Sequence, residues 1–203
     1  MGNALEKAAE FTPEAFLAWE SEQSERHEYV NGEVFLMTGT TTAHNVICLN
    51  FATALRNGLR GKPCRVYMAD VKLHVDSANC YFYPDLLVTC SPRDRNEPRV
   101  QSEPTVVVEA LSESTAGYDF GMKFAAYRQL PSLQEYVLVA QDEARVLVYR
   151  RGEGVEWVLH PYGPGETLHL PSLNLFIPVD ELYDDIEFSA SLFSSPPTTG
   201  EIS

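Results

Sequence analysis

Positive charge is what this chain has least of. It carries 15 Lys+Arg against 29 Asp+Glu, a formal charge of −14. Residues 152–203 hold no Lys or Arg at all. Such an excess of acid argues against tight nonspecific DNA binding, whose affinity is mostly phosphate neutralisation. Long apolar runs are missing too: none approaches the ~18 residues of a membrane span. The first residues, Met1-Gly2-Asn3-Ala4-Leu5-Glu6-Lys7, show no basic segment followed by an apolar core. No membrane association and a cytoplasmic location are therefore expected. Cysteine occurs only as Cys48, Cys64, Cys80 and Cys90, with no Cys-x-x-C pair. That excludes a zinc site of the usual spacing and predicts four free, mostly buried thiols.

What is present is ordinary for a globular protein: 44% hydrophobic and 22% charged residues, enough for a sizeable core. The acidity is concentrated at the two ends. Residues 51–75 are instead locally basic, with Arg56, Arg60, Lys62, Arg65 and Lys72 against Asp70 alone. A cluster of this kind reads first as a solvated helix face and loop, and leaves room for a focused polyanion contact.

Thr12-Pro13-Glu14 gives an N-cap followed by Pro at the first helical position, predicting a helix to about Gln23. Asn31-Gly32 between Tyr29-Val30 and Glu33-Val34 predicts a β-hairpin. Val46, Ile47, Leu49, Phe51, Ala54, Leu55 and Leu59 fit a helix over about 43–59. Three strands follow, at 65–75, 81–89 and 105–111, the last so rich in Val that it reads as buried on both faces. A helix over about 118–130, ending before Pro131, leads to a strand at 135–140 and a hairpin at 145–160. The order predicts one mixed α/β domain over 11–187, with an N-terminal helix plus hairpin and a C-terminal β-hairpin. Residues 188–203 read as a disordered tail from their Ser/Pro/Thr content.

The informative feature is where acids interrupt the strands. Asp85 sits within Tyr-Phe-Tyr-Pro-Asp-Leu-Leu-Val, Glu109 within Thr-Val-Val-Val-Glu-Ala-Leu, and Asp70 within the 65–75 segment. A carboxylate in an apolar strand is expensive unless it is paired or binds a cation. Three acids meeting from neighbouring strands would offer the hard oxygen ligands that Mg²⁺ or Mn²⁺ prefers. That chemistry suits phosphodiester hydrolysis.

Pro84-Asp85 on one strand followed by Glu109 on the next resembles the PD-(D/E)-x-K nuclease superfamily. The fuller set is similar to the Uma-type restriction endonuclease family. It comprises His27-Glu28-Tyr29-Val30-Asn31-Gly32-Glu33, His44, Ala69-Asp70-Val71-Lys72-Leu73, Tyr83-Pro84-Asp85-Leu86, Val108 to Thr115, Asp119 to Tyr127 and Glu135 to Val139. The resemblance implies a restriction-endonuclease-like core, a mixed sheet flanked by helices, with Asp85 and Glu109 as ligands of Mg²⁺ or Mn²⁺. The superfamily places Lys two residues after the Glu, where this chain has Leu111. A lysine on the following helix is the natural substitute, and Lys123 occupies that place on the packed helix face, within reach of an anionic partner such as Glu109.

Other readings stay open for several residues. Asp85 after Pro84 could cap a turn, Asp119–Lys123 is also an i,i+4 surface pair, and Asp70 could pair with Lys72 or Lys62 instead of joining the metal. Glu33 and His44 match the family as accessory residues and equally suit turn geometry and capping. The function expected is a Mg²⁺-dependent endonuclease acting on DNA, with Asp85, Glu109 and Lys123 catalytic. The alternative is a catalytically inactive protein of the same fold, acting as a binding or assembly subunit. Cleavage of both strands would require two sites, so a homodimer is expected.

Overall fold

In the computed structural model, the described residues are 11–37, 39–112 and 115–188, so the expected tail 188–203 lies outside them but for Phe188. Helix α1 (Pro13–Glu20) starts as its sequence dictates, with the Thr12 hydroxyl accepting from the amide of Ala15. The Asn-Gly turn, with φ of 49° at Asn31 and 95° at Gly32, joins strands β1 (His27–Val30) and β2 (Glu33–Leu36). Helix α2 (Thr42–Gly58) is capped by Thr41.

The next two expected strands each break in two. The first becomes β3 (Arg65–Met68) and β4 (Lys72–Val75), the second β5 (Cys80–Phe82) and β6 (Leu86–Thr89). Ala69 and Asp70 adopt left-handed backbone, φ 44° and 51°, and turn the chain from one sheet into another, while Pro84 interrupts the partner segment. The β3–β6 register pairs Met68 with Leu86, and the β4–β5 register pairs Leu73 with Phe82. The pairing slips by one residue between these ladders, so the corner at 69–71 is a β-bulge.

Helix α3 (Pro92–Asn96) and strand β7 (Val100–Gln101) precede the buried strand β8 (Val106–Leu111). The expected helix follows in three parts: α4 (Ala116–Tyr118), a π-helical turn (Asp119–Lys123) and α5 (Phe124–Tyr127). Strands β9 (Glu135–Ala140), β10 (Val146–Arg151), β11 (Trp157–Tyr162), β12 (Thr167–Leu170) and β13 (Leu175–Pro178) and helix α6 (Val179–Leu182) complete the order.

Two sheets carry the fold. One runs β2-β1-β5-β4-β7 and the other β11-β10-β9-β8-β6-β3, with β12-β13 as a separate pair. In the six-stranded sheet, Val106 and Val108 pack with Ile47, Phe51 and Leu55 of α2, whereas Val107 and Leu111 pack with Ala126 and Tyr127 of α5. A central strand covered on both faces explains the run of valines. The result is the expected mixed α/β arrangement of sheets flanked by helices.

One expectation on cysteine is corrected. Cys64 and Cys90 form a disulfide, with Cα atoms 4.0 Å apart, and Cys48 and Cys80 are the free thiols, both buried. The antiparallel register that pairs Arg65 with Thr89 puts the two cysteines opposite one another in the next step. No helix of the described residues is long and apolar enough to cross a membrane.

Candidate active site

The register of the six-stranded sheet assembles the site. Leu86 pairs with Val108 across β6 and β8, so the residues one step out, Asp85 and Glu109, fall in the same row. The Ala110 amide donates to Asp85 Oδ2 at 2.7 Å, and the Ala69 amide donates to the Asp85 carbonyl at 3.1 Å. Asp85 is thus held by its neighbours on both sides.

Glu109 lies on the β8 face that meets the helical segment. The π-helical turn widens the helix there, and its last residue, Lys123, points inward. Lys123 Nζ lies 3.0 Å from Glu109 Oε1, 3.3 Å from Glu28 Oε1 and 3.3 Å from Asp119 Oδ1. The Tyr127 hydroxyl also donates to Glu109 Oε1, at 2.9 Å. The Asp119–Lys123 pair is therefore buried, with both side chains below one-tenth exposed.

His44, in the first turn of α2, places Nε2 3.0 Å from Asp85 Oδ1. Its tautomer follows from its neighbours. The carbonyl of Ala110 only accepts, so the Gln141 atom facing it at 3.4 Å is the amide nitrogen. The same nitrogen faces His44 Nδ1 at 3.2 Å, while the Thr41 hydroxyl donates to Gln141 Oε1 at 2.7 Å. Nδ1 therefore presents its lone pair, and the proton on Nε2 is donated to Asp85.

These groups border one cavity of about 270 Å³. Among the described residues, Glu28, Asp85, Glu109 and Asp119 face it with Lys123 as the single ammonium. Burial pushes the Glu109 carboxyl well above the usual range; Lys123 pulls it down while Asp85, Asp119 and Glu28 push it up. Burial alone would lower the Lys123 pKa, but Glu109, Glu28 and Asp119 together hold it well above the ordinary lysine value. The lysine keeps its proton, and the acids around it outnumber it.

That imbalance is the fit expected of a divalent-cation site, since the uncompensated groups are all hard oxygen donors. Asp85 and Glu109 are the residues that could hold such an ion. A softer trio also exists: His44, Cys48 and Asp85 bring ligand atoms within 4.8 Å of one another. Burial, then Asp85 and Glu109, push the Cys48 thiol far up in the metal-free protein.

Of the residues singled out from sequence, Asp85, Glu109, Lys123 and His44 are brought together. Asp70 and Glu33 are not. The left-handed corner turns Asp70 outward, its side chain 71% exposed and 3.3 Å from Arg26. Glu33 sits exposed beside the hairpin turn, paired with Val30. The sequence reading missed Glu28, Asp119 and Gln141 as site residues. Glu28 had a signal, an acid inside a four-residue strand that is buried throughout.

The family model described as "Putative restriction endonuclease" (Uma2) matches residues 13–180. The chain belongs to this family. Two uncharacterized proteins of Synechocystis are similar to it. One is 36% identical over 177 residues, covering 87% of this chain and 93% of that protein. The other is 31% identical over 150 residues, covering 73% and 85%. Among solved structures, a protein of Anabaena variabilis described as a putative nuclease belonging to DUF820 superposes with a TM-score of 0.72 at 17% identity. That match covers 86% of this chain and 98% of the other, and it shows a shared fold.

Proposed function

We propose that this Uma2-family chain is a Mg²⁺- or Mn²⁺-dependent endonuclease that hydrolyses phosphodiester bonds of DNA in the cytoplasm. The observation that carries this reading is the convergence of Asp85, Glu109 and Lys123 on one cavity whose acids outnumber its cations. A divalent ion held by Asp85 and Glu109 would supply Lewis-acid polarisation of the phosphoryl oxygen and acidify the attacking water. Lys123, protonated and anchored by three carboxylates, is positioned to donate to the negative charge that grows on the phosphoryl group. His44 holds Asp85 Oδ1, and Gln141 holds His44, so the first ligand is oriented before substrate arrives. Double-strand cleavage would be served by a symmetric dimer presenting two such cavities.

The test is nicking of supercoiled plasmid with Mg²⁺ or Mn²⁺, with EDTA as control. Wild-type protein should nick, and Asp85→Ala, Glu109→Gln and Lys123→Met should not. Activity that survives Asp85→Ala would place the chemistry elsewhere. Leu111 at the strand position of the superfamily lysine favours the second reading, an inactive binding or assembly subunit. For such a protein, calorimetric titration with Mn²⁺ would show no binding that depends on the carboxylates.

A further inference from the structure

In a chain with so few cations, the place where they gather next to an anionic cavity is informative. The 69–71 corner is that place. Lys72 opens β4, and continuation of the β4–β5 register sets it opposite Tyr83, with its ammonium 5.1 Å above the Tyr83 ring. Tyr83 borders the cavity. Strand β7 pairs Val100 with Lys72, which brings the exposed Arg99 alongside. Arg26, just before β1 and 40% exposed at its side chain, reaches the same corner through Asp70. The corner is tied to the site by the hydrogen bond from Ala69 to the Asp85 carbonyl.

We propose that Arg26, Lys72 and Arg99 form a shelf for the backbone phosphates of a DNA strand entering the cavity, and that Asp70 occupies this shelf in the free protein as the anion a phosphate displaces. The proposal rests on the nuclease reading above and names how its substrate is seated.

Electrostatics on the shelf agree with this assignment. Burial lowers the Lys72 pKa, and Arg26 and Arg99 lower it further, against Glu20 and Asp70. Three like charges are thus close enough to repel, and a bound anion relieves that repulsion. The Arg26–Asp70 pair is half exposed and single, the weak kind that a phosphate can replace without loss of charge balance at Arg26. Once displaced, Asp70 repels the phosphate beside it. Its carboxylate therefore opposes binding in both states.

The test measures binding by fluorescence anisotropy of a labelled duplex of about 20 base pairs, with Ca²⁺ present, over a series of salt concentrations. Asp70→Asn should tighten binding roughly threefold to tenfold, because it removes the competing anion. Asparagine tolerates left-handed backbone, so the corner should survive the change. Arg99→Gln and Lys72→Met should each weaken binding and reduce the salt slope by about one. Arg99 is exposed, so its variant reads out the shelf without disturbing the fold. Weaker DNA binding together with loss of Mn²⁺ affinity in Asp70→Asn would mean that Asp70 is a metal ligand, and would overturn the proposal. Unchanged affinity and slope in Arg99→Gln and Lys72→Met, in a protein that binds and nicks DNA, would sink the shelf and leave the nuclease reading intact. A wild-type protein that neither binds nor cleaves would remove both.

Discussion

Lys123 and Glu109 are joined by a 3.0 Å ion pair although one ends a π-helical turn and the other lies in the central strand β8. Both side chains are below one-tenth exposed. Lys123→Met leaves Glu28, Glu109 and Asp119 facing one another without a cation, and breaking a buried pair from one side costs about 3–5 kcal/mol. The variant should melt well below wild type at neutral pH and recover part of the difference in acid, where the carboxyls are neutral. Cleavage should fall at least about 100-fold, the scale of losing one donor to a developing charge. The double variant Lys123→Met/Glu109→Gln should be more stable than Lys123→Met alone, because one uncompensated charge is gone. If the two single losses simply add, the pair is not coupled as the geometry requires.

His44→Ala removes the donor to Asp85 Oδ1 and leaves the Ala110 amide as the remaining restraint on that carboxylate. Loss of a group that orients a metal ligand typically weakens metal binding 10–100-fold. Titration calorimetry with Mn²⁺ should show that loss, and Gln141→Ala should show a smaller one because it acts through His44. An unaltered Mn²⁺ affinity in His44→Ala would mean that Asp85 is not a ligand, or needs no help in being one.

These effects trace to residues whose legibility in the sequence differs sharply. The N-cap at Thr12 and the Asn-Gly turn are local signals, and the elements they open start where read, although the helix ends at Glu20 and not near Gln23. Asp85, Glu109 and Lys123 stood out because each is a charge in an apolar setting. The corner at Ala69–Asp70 was hidden. Alternation of apolar residues continues through it because both halves of the segment are partly buried in their own sheets, and neither corner residue is the glycine that would announce a positive φ. Asp70 therefore looked like an acid within one continuous strand, on the face opposite its apolar residues. Glu28 and Glu33 flank the same turn, and it is the pairing of β1 with both β2 and β5 that buries the earlier acid while the later one stays exposed. The Cys64–Cys90 pairing depends on a register that spacing alone does not encode.

The buried acids make stability depend on pH and on metal together. Glu109 and Asp119 have pKa values raised above their ordinary 4.5 and 3.8, first of all by burial. Groups raised in the folded state contribute stability that is complete below the unfolded value and is lost as pH climbs through the folded one. Metal-free protein should therefore lose part of its stability as pH rises above about 4.5. A divalent cation binds the ionised acids, so the rise in melting temperature on adding Mn²⁺ should grow over the same interval. Melting curves in EDTA and in Mn²⁺ at a series of pH values read this directly. A metal-induced rise that is equal at all pH values, or that persists in Asp85→Ala, would place the ion away from these carboxylates.

The disulfide gives the last prediction. Cys64 and Cys90 close a loop of 26 residues that spans β3, the corner, β4, β5 and β6. Closing a loop of that size restricts the unfolded chain by roughly 3–4 kcal/mol in the chain-entropy model. Reduction, or the double replacement Cys64→Ser/Cys90→Ser, should lower the melting temperature accordingly. The expected loss is one of stability and not of assembly, because the β3–β6 ladder pairs four residues directly and the Ala69 amide still reaches Asp85. Mn²⁺ affinity at a temperature where both forms are folded should therefore be nearly the same for the reduced and oxidised protein. A reduced protein that stays folded but no longer binds Mn²⁺ would mean that the bond holds the Asp85 row in place, and that the ladder alone does not.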